Sequence, residues 1–232
     1  MQEIKVVISG FNPYEGIKVN PSYEVPKAIA ERGLLPLKAS DQDFDDPLAD
    51  VNLTINSVSL PISFEDAWSN LQETIEATQA DIIIATGLKR AARGMLLERC
   101  ATNLMDRIAP AQNGIADGSQ PITPIKPEGP AAYWTRLPLH SIMDDFNGRG
   151  IPATLSSDAG TFVCNSLFYN LLDWTAGQKH KLAGFLSFPI VNESAHSQHG
   201  LPLDQQIQAC SDLVRQTVRY YLQPSSGAIL LS

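Results

Sequence analysis

The stretch with the clearest chemical potential is Ser156-Ser157-Asp158-Ala159-Gly160-Thr161-Phe162-Val163-Cys164-Asn165. Residues 151–155 carry a short strand pattern before it, and Val163, Leu167, Leu171 and Leu172 recur at helical spacing after it. A strand, a tight turn at Gly160 and a helix opening between Thr161 and Val163 place Cys164 in the first helical turn. Free backbone N–H groups and the helix dipole favour negative charge there, so the thiol should ionise more readily, and the thiolate is the nucleophilic form. Cys164 is therefore the leading catalytic candidate. A small buried core residue is the competing reading, because free Cys is among the most buried residue types. The local sequence leaves both open.

Composition narrows the classes of function. A chain of 232 residues is long enough for one α/β domain with a sizeable core. The net charge of −8 argues against a surface for nucleic acid or anionic membrane, since phosphates would be repelled. Met1-Gln2-Glu3-Ile4-Lys5 does not open a signal peptide, and no apolar run is long enough for a membrane span. The 3 cysteines are widely spaced and odd in number, which fits neither a disulfide framework nor a zinc site. The expectation is a cytoplasmic protein with reduced thiols and no metal or other cofactor.

The elements that must position Cys164 alternate between strand and helix. Residues 4–9 are a β-branched run ended by Gly10, and Asn20-Pro21-Ser22 opens a helix to about Arg32. Residues 41–50 carry five aspartates and read as a solvated loop; the glycine and terminal glutamate of an EF-hand are missing. Residues 53–60 alternate as a strand, 63–78 repeat as a helix, and 81–87 read as a central strand buried on both faces. Residues 97–104 suggest another strand, 109–130 an irregular excursion rich in Pro and Gly, and 138–147 a helix. After the Cys164 unit come a strand at 183–188 and a closing amphipathic helix at 203–222. This order predicts a single domain over residues 1–232, a three-layer α/β/α fold around a mainly parallel, twisted sheet. In such sheets sites lie at the carboxyl ends of strands, which would bring Cys164 and the loops after Ser9 and Thr86 to one rim.

Several motifs carry a family resemblance. Ser9-Gly10-Phe11-Asn12-Pro13-Tyr14-Glu15-Gly16 followed by Asn20-Pro21-Ser22, the pair Glu98-Arg99 followed by Asn103, Glu128-Gly129-Pro130-Ala131-Ala132-Tyr133 with Leu137-Pro138, and Ala159-Gly160-Thr161-Phe162-Val163-Cys164-Asn165 together span most of the chain. In these the chain resembles the type I pyroglutamyl peptidases (pyrrolidone-carboxylate peptidases), cysteine peptidases that remove N-terminal pyroglutamate. The resemblance implies a phosphorylase/hydrolase-like fold, Cys164 as nucleophile, Glu98 as catalytic acid, pyroglutamyl peptides as substrates and a homo-oligomer, tetramer or dimer. Phe11 and Tyr14 match the aromatic pair that holds the pyroglutamyl ring, where two apolar faces would favour a flat uncharged lactam; plain packing of the first turn is the competing reading. Arg107 matches an arginine supporting the site across a one-residue gap, with a surface salt bridge as the competing reading.

The resemblance breaks at one place. The family's G-F-x-H-x-P stretch is here Gly184-Phe185-Leu186-Ser187-Phe188-Pro189, so Ser187 stands at the histidine position. The turn after Gly87, G-x-A-G-G-R in the family, is here Gly87-Leu88-Lys89-Arg90-Ala91-Ala92. A cysteine peptidase needs a group titrating near neutral pH to take the thiol proton and deliver it to the leaving amine. A serine hydroxyl cannot do this, and without an imidazole Glu98 would raise the thiol pKa. His196 or His199, in the polar loop beyond residues 183–188, is a candidate substitute base; ordinary solvent-exposed loop histidines are the competing reading. The sequence thus supports two readings: an omega-peptidase with reduced or lost activity, or an inactive relative that binds pyroglutamyl ligands, with the acidic loop contributing a partner surface.

Overall fold

The computed structural model describes residues 2–13, 16–37, 46, 48–107, 122–193 and 199–229. The strands are β1 (Gln2–Phe11), β2 (Val51–Leu60), β3 (Ile82–Leu88), β4 (Met95–Glu98), β5 (Cys100–Thr102), β6 (Ala132–Trp134), β7 (Ala153–Ser156) and β8 (Leu182–Phe188). The helices are α1 (Pro21–Arg32), α2 (Asp66–Thr78), α3 (Leu139–Gly148), α4 (Val163–Ala176) and α5 (Leu203–Leu222). Six strands form one sheet in the order β2-β1-β3-β8-β4-β7, while β5 and β6 make a separate antiparallel pair. All pairings in the large sheet are parallel except β4 with β8.

Side-chain parity divides the core into two layers. Ile4, Val6, Ile8, Ile82, Ile84, Met95, Leu97, Leu186 and Phe188 face one side, packed with Val25 and Ile29 of α1, Ile142 of α3 and Leu213 of α5. Val7, Phe11, Ile83, Ala85, Ala183 and Phe185 face the other, under Leu71 and Ile75 of α2 and Leu167 and Phe168 of α4. Because successive strand residues alternate faces, both β1 and β3 must be apolar at nearly every position. Ile4 and residues 6–9 of β1 and residues 82–87 of β3 are buried, as expected of strands with helices on both sides. The α/β/α prediction holds.

One strand expectation needs correction. Residues 97–104 are not one strand. The chain leaves the sheet at Arg99, whose N–H donates to Ser156 O and whose carbonyl accepts from Thr135 N, and it then pairs with β6 as β5. The antiparallel run of β4 also brings Glu98 into the sheet opposite Phe185, two residues short of Ser187. Of the acidic loop, residues 41–45 and 47 lie outside the described residues, as do residues 109–121 of the Pro-rich excursion. The described remainder of that excursion is anchored: Asn103 Nδ2 donates to Lys126 O at 2.7 Å, and its Oδ1 accepts from Lys126 N at 2.9 Å.

Candidate active site

The turn before α4 is built by its own side chains. Asp158 Oδ1 accepts from Gly160 N at 2.9 Å, and Gly160 takes φ +79°, a left-handed conformation that suits glycine. From the next turn of the sheet, Lys89 Nζ donates to Asp158 O at 2.5 Å and stands 3.3 Å from its Oδ2. Helix α4 begins at Val163, so Cys164 lies in its first turn. Asn165 fixes the helix against β5: its Oδ1 accepts from Thr102 N at 3.0 Å, and its Nδ2 donates to Thr102 O at 2.8 Å and Leu104 O at 2.9 Å. With 1 % exposure, that side chain is a structural anchor directly beside the nucleophile candidate.

The sheet supplies the surface under the sulfur. A Cβ built on Gly87 would lie 2.9 Å from Cys164 Sγ and 2.9 Å from Phe185 Cζ, so the thiol occupies space that any other residue at 87 would claim. Gly87 and Ser187 are register partners in parallel strands and share this face. Ser187 is 5 % exposed, and its Oγ donates to Glu98 Oε1 at 2.7 Å. Glu98 is fully buried, and its Oε2 has no hydrogen-bond partner among the described residues. Cys164, Ser187 and Glu98 thus converge on one face of the sheet, although they come from three separate stretches of chain.

The electrostatics run against the expectation drawn from the helix start and agree with the one drawn for Glu98. Burial, then the charge of Glu98, push the Cys164 pKa up to about 12. A backbone hydrogen bond at the helix start and the charge of Lys89 act in the opposite direction but do not prevail. The helix N-terminus alone was expected to favour the thiolate; desolvation outweighs it because the charged form loses its hydration.

The other candidates are distributed as follows. Phe11 is only 4 % exposed and packs in the layer that carries Cys164, its carbonyl accepting from Asn20 Nδ2 at 3.1 Å. Tyr14 and His196 lie outside the described residues. His199 is exposed, with its carbonyl accepting from Asn192 Nδ2 at 3.0 Å. Arg107 is exposed, pairs with Glu65 at 2.5 Å and lies 5.5 Å over the ring of Phe64, which meets Phe162 edge-on at 5.1 Å. It supports the turn only at one remove: the neighbouring Asp106 N donates to Thr161 O at 2.7 Å. Lys89, Gly87 and Asn165 belong to the site although their residue types alone announce nothing. Gly87 and Asn165 were signalled by a glycine ending an apolar strand and an amide next to the cysteine, and Lys89 only by its place in the altered turn after Gly87.

The family model for pyroglutamyl peptidase matches residues 4–217. The chain belongs to the pyroglutamyl peptidase family. A pyrrolidone-carboxylate peptidase of Bacillus cereus strain Q1 is 36 % identical over 199 residues, 85 % of this chain and 83 % of that protein. One from Brevibacillus brevis is 33 % identical over the same shares. Among solved structures, pyroglutamyl peptidase I of Bacillus amyloliquefaciens is 32 % identical with a TM-score of 0.76, covering 94 % of this chain and 98 % of that one. The pyrrolidone carboxyl peptidase of Thermococcus litoralis gives the same TM-score at 25 % identity, with 96 % of each chain covered. The α/β/α fold of this chain is therefore that of pyroglutamyl peptidases, a family of cysteine peptidase hydrolases. No helix among the described residues is long and apolar enough to cross a membrane.

Proposed function

We propose that this chain recognises N-terminal pyroglutamyl peptides and cleaves them through Cys164 only slowly, because Ser187 stands where a general base is needed. The observation that carries this reading is the 2.7 Å bond from Ser187 Oγ to Glu98 Oε1. Cleavage requires the Cys164 S–H proton to leave, the sulfur to add to the pyroglutamyl carbonyl carbon, and a proton to reach the departing amine nitrogen as the C–N bond breaks. A hydroxyl spending its proton on Glu98 supports none of these transfers near neutral pH. With its pKa at about 12, the thiol keeps its proton there as well.

The second reading, a ring-binding protein without turnover, is favoured by the same protonated thiol. Phe11 in both readings is the apolar wall on the β1 side of the sulfur, with Tyr14 its companion from the sequence resemblance. His199 and His196 are the alternative bases under the first reading. Association into a homo-oligomer and a cytoplasmic location form part of the proposal; the exposed Leu104, Ile122 and Trp134, at 45 %, 55 % and 67 %, suit a subunit contact that light scattering would detect. The deciding experiment measures, on one preparation, equilibrium binding of pyroglutamyl amide and turnover of a fluorogenic pyroglutamyl amide. Saturable binding with slow turnover abolished by Cys164→Ala is expected. Absence of binding would overturn both readings, and binding with turnover unaffected by Cys164→Ala would remove the nucleophile.

A further inference from the structure

A groove of about 530 Å³ lies at the rim beside the candidate site, lined among others by Lys89, Arg93, Leu96 and Thr154. Leu96 is the register partner of both Ser187 and Thr154, so the groove adjoins the Ser187 position directly along the sheet. Leu96 and Thr154 alternate with Leu97 and with Ala153 and Leu155, which pack on the opposite layer. The Leu96 and Thr154 side chains therefore face the same side as Cys164, while Pro152 and Ala153 line the groove where β7 begins. The sheet order sets a direction. Phe11 on β1 lies to one side of Gly87 and Ser187, and the groove over β4 and β7 lies to the other. A pyroglutamyl peptide with its ring toward β1 and its scissile carbonyl at Cys164 would run its following residue into this groove.

The charge of the groove then selects among substrates. Lys89 is shared with Asp158. Arg93 is exposed and its side chain has no ion pair or hydrogen bond among the described residues. We propose that this groove receives the residue after pyroglutamate and that Arg93 makes it selective for an acidic side chain there. This rests on the pyroglutamyl-peptide reading above, and it adds a subsite set by the turn from Lys89 to Gly94.

Binding of three amidated dipeptides, pyroglutamyl-Glu, pyroglutamyl-Ala and pyroglutamyl-Lys, to the Cys164→Ala variant tests it without turnover. An exposed charge pair is weak, so the Glu peptide should bind roughly three- to five-fold tighter than the Ala peptide at low salt. The advantage should disappear in Arg93→Ala and pass to the Lys peptide in Arg93→Glu, with pyroglutamyl amide itself bound equally by all variants. Equal binding of the three peptides, or a preference indifferent to Arg93→Glu, overturns the groove while leaving the ring-binding reading intact. If no pyroglutamyl compound binds, both fall.

Discussion

Substituting Ser187→His should restore turnover, and the size of the gain follows from the proton inventory. A thiol with a pKa of about 12 is ionised in only roughly one molecule in 10⁵ at pH 7. Turnover that depends on this thiolate should climb about tenfold for each pH unit from 6 to 9, without a plateau. An imidazole at position 187 would titrate near neutrality, share the Gly87 face with the sulfur and present an N–H to Glu98, which already accepts from this position. General acid–base help of this kind is worth about 10²–10⁴ in rate, or about 3–5 kcal/mol of barrier. The assay is kcat/KM for a fluorogenic pyroglutamyl amide at each half pH unit, with and without the substitution. Glu98→Gln supplies a control of opposite sign. In the natural chain it removes a charge that disfavours the thiolate, so iodoacetamide should alkylate Cys164 faster, read on the Cys164 peptide by mass spectrometry. In the Ser187→His background it removes the group orienting the imidazole, so turnover should fall. Brisk turnover by the natural chain with a plateau near pH 7 would refute the reasoning; His199→Ala and His196→Ala would then locate the base.

Gly87→Ala should displace Cys164 Sγ, since the new methyl would lie 2.9 Å from it; in the Ser187→His background kcat/KM should drop about 10- to 100-fold, measured beside an unchanged circular dichroism spectrum. Asn165→Ala leaves Thr102 N and two carbonyls without their partner and should cost about 2–4 kcal/mol in urea unfolding. Cys210, buried in α5, has its pKa pushed up to about 12 by burial and then by Asp212. The unfolded thiol ionises near 9 while the folded one stays neutral, so this contribution is complete below pH 9 and is lost as pH rises toward 12. The fall in Tm above pH 9 should be shallower in Cys210→Ala; equal slopes would exclude Cys210 as its source.

What the sequence made legible was whatever local pattern decides. Residues 4–9 and 81–87 were continuous apolar runs, and they became β1 and β3, with layers of helices on both sides. Asn20-Pro21-Ser22 announced the start of α1, and Asn20 Oδ1 does accept from Ser22 N at 3.1 Å. Residues 97–104 misled because nothing in their alternation marks the point where Arg99 turns from one sheet to another. Residues 132–134 are too few to show a period at all. The thiol misled for a different reason. The helix start at Cys164 was readable from residues 160–163, and the resemblance already set Glu98 against the thiol, but the desolvation that outweighs the helix start depends on the tertiary fold.

The residue at position 187 separates stability from catalysis. A buried carboxylate such as Glu98 must be hydrogen-bonded, or its desolvation is uncompensated. An alanine at 187 would leave both oxygens of Glu98 without a partner among the described residues, whereas serine keeps one of them bonded. The hydroxyl therefore does for the fold what an imidazole N–H would do, and omits only the proton exchange. Ser187→Ala and Ser187→His consequently probe different quantities. The alanine variant should lower the urea midpoint, by about 1–3 kcal/mol in free energy, without changing the weak turnover by more than a few-fold. The histidine variant should change turnover by orders of magnitude at a smaller stability cost. If Ser187→Ala instead abolished residual turnover at constant stability, the hydroxyl would itself take part in the reaction, and the assignment of Ser187 as a purely structural partner of Glu98 would fail.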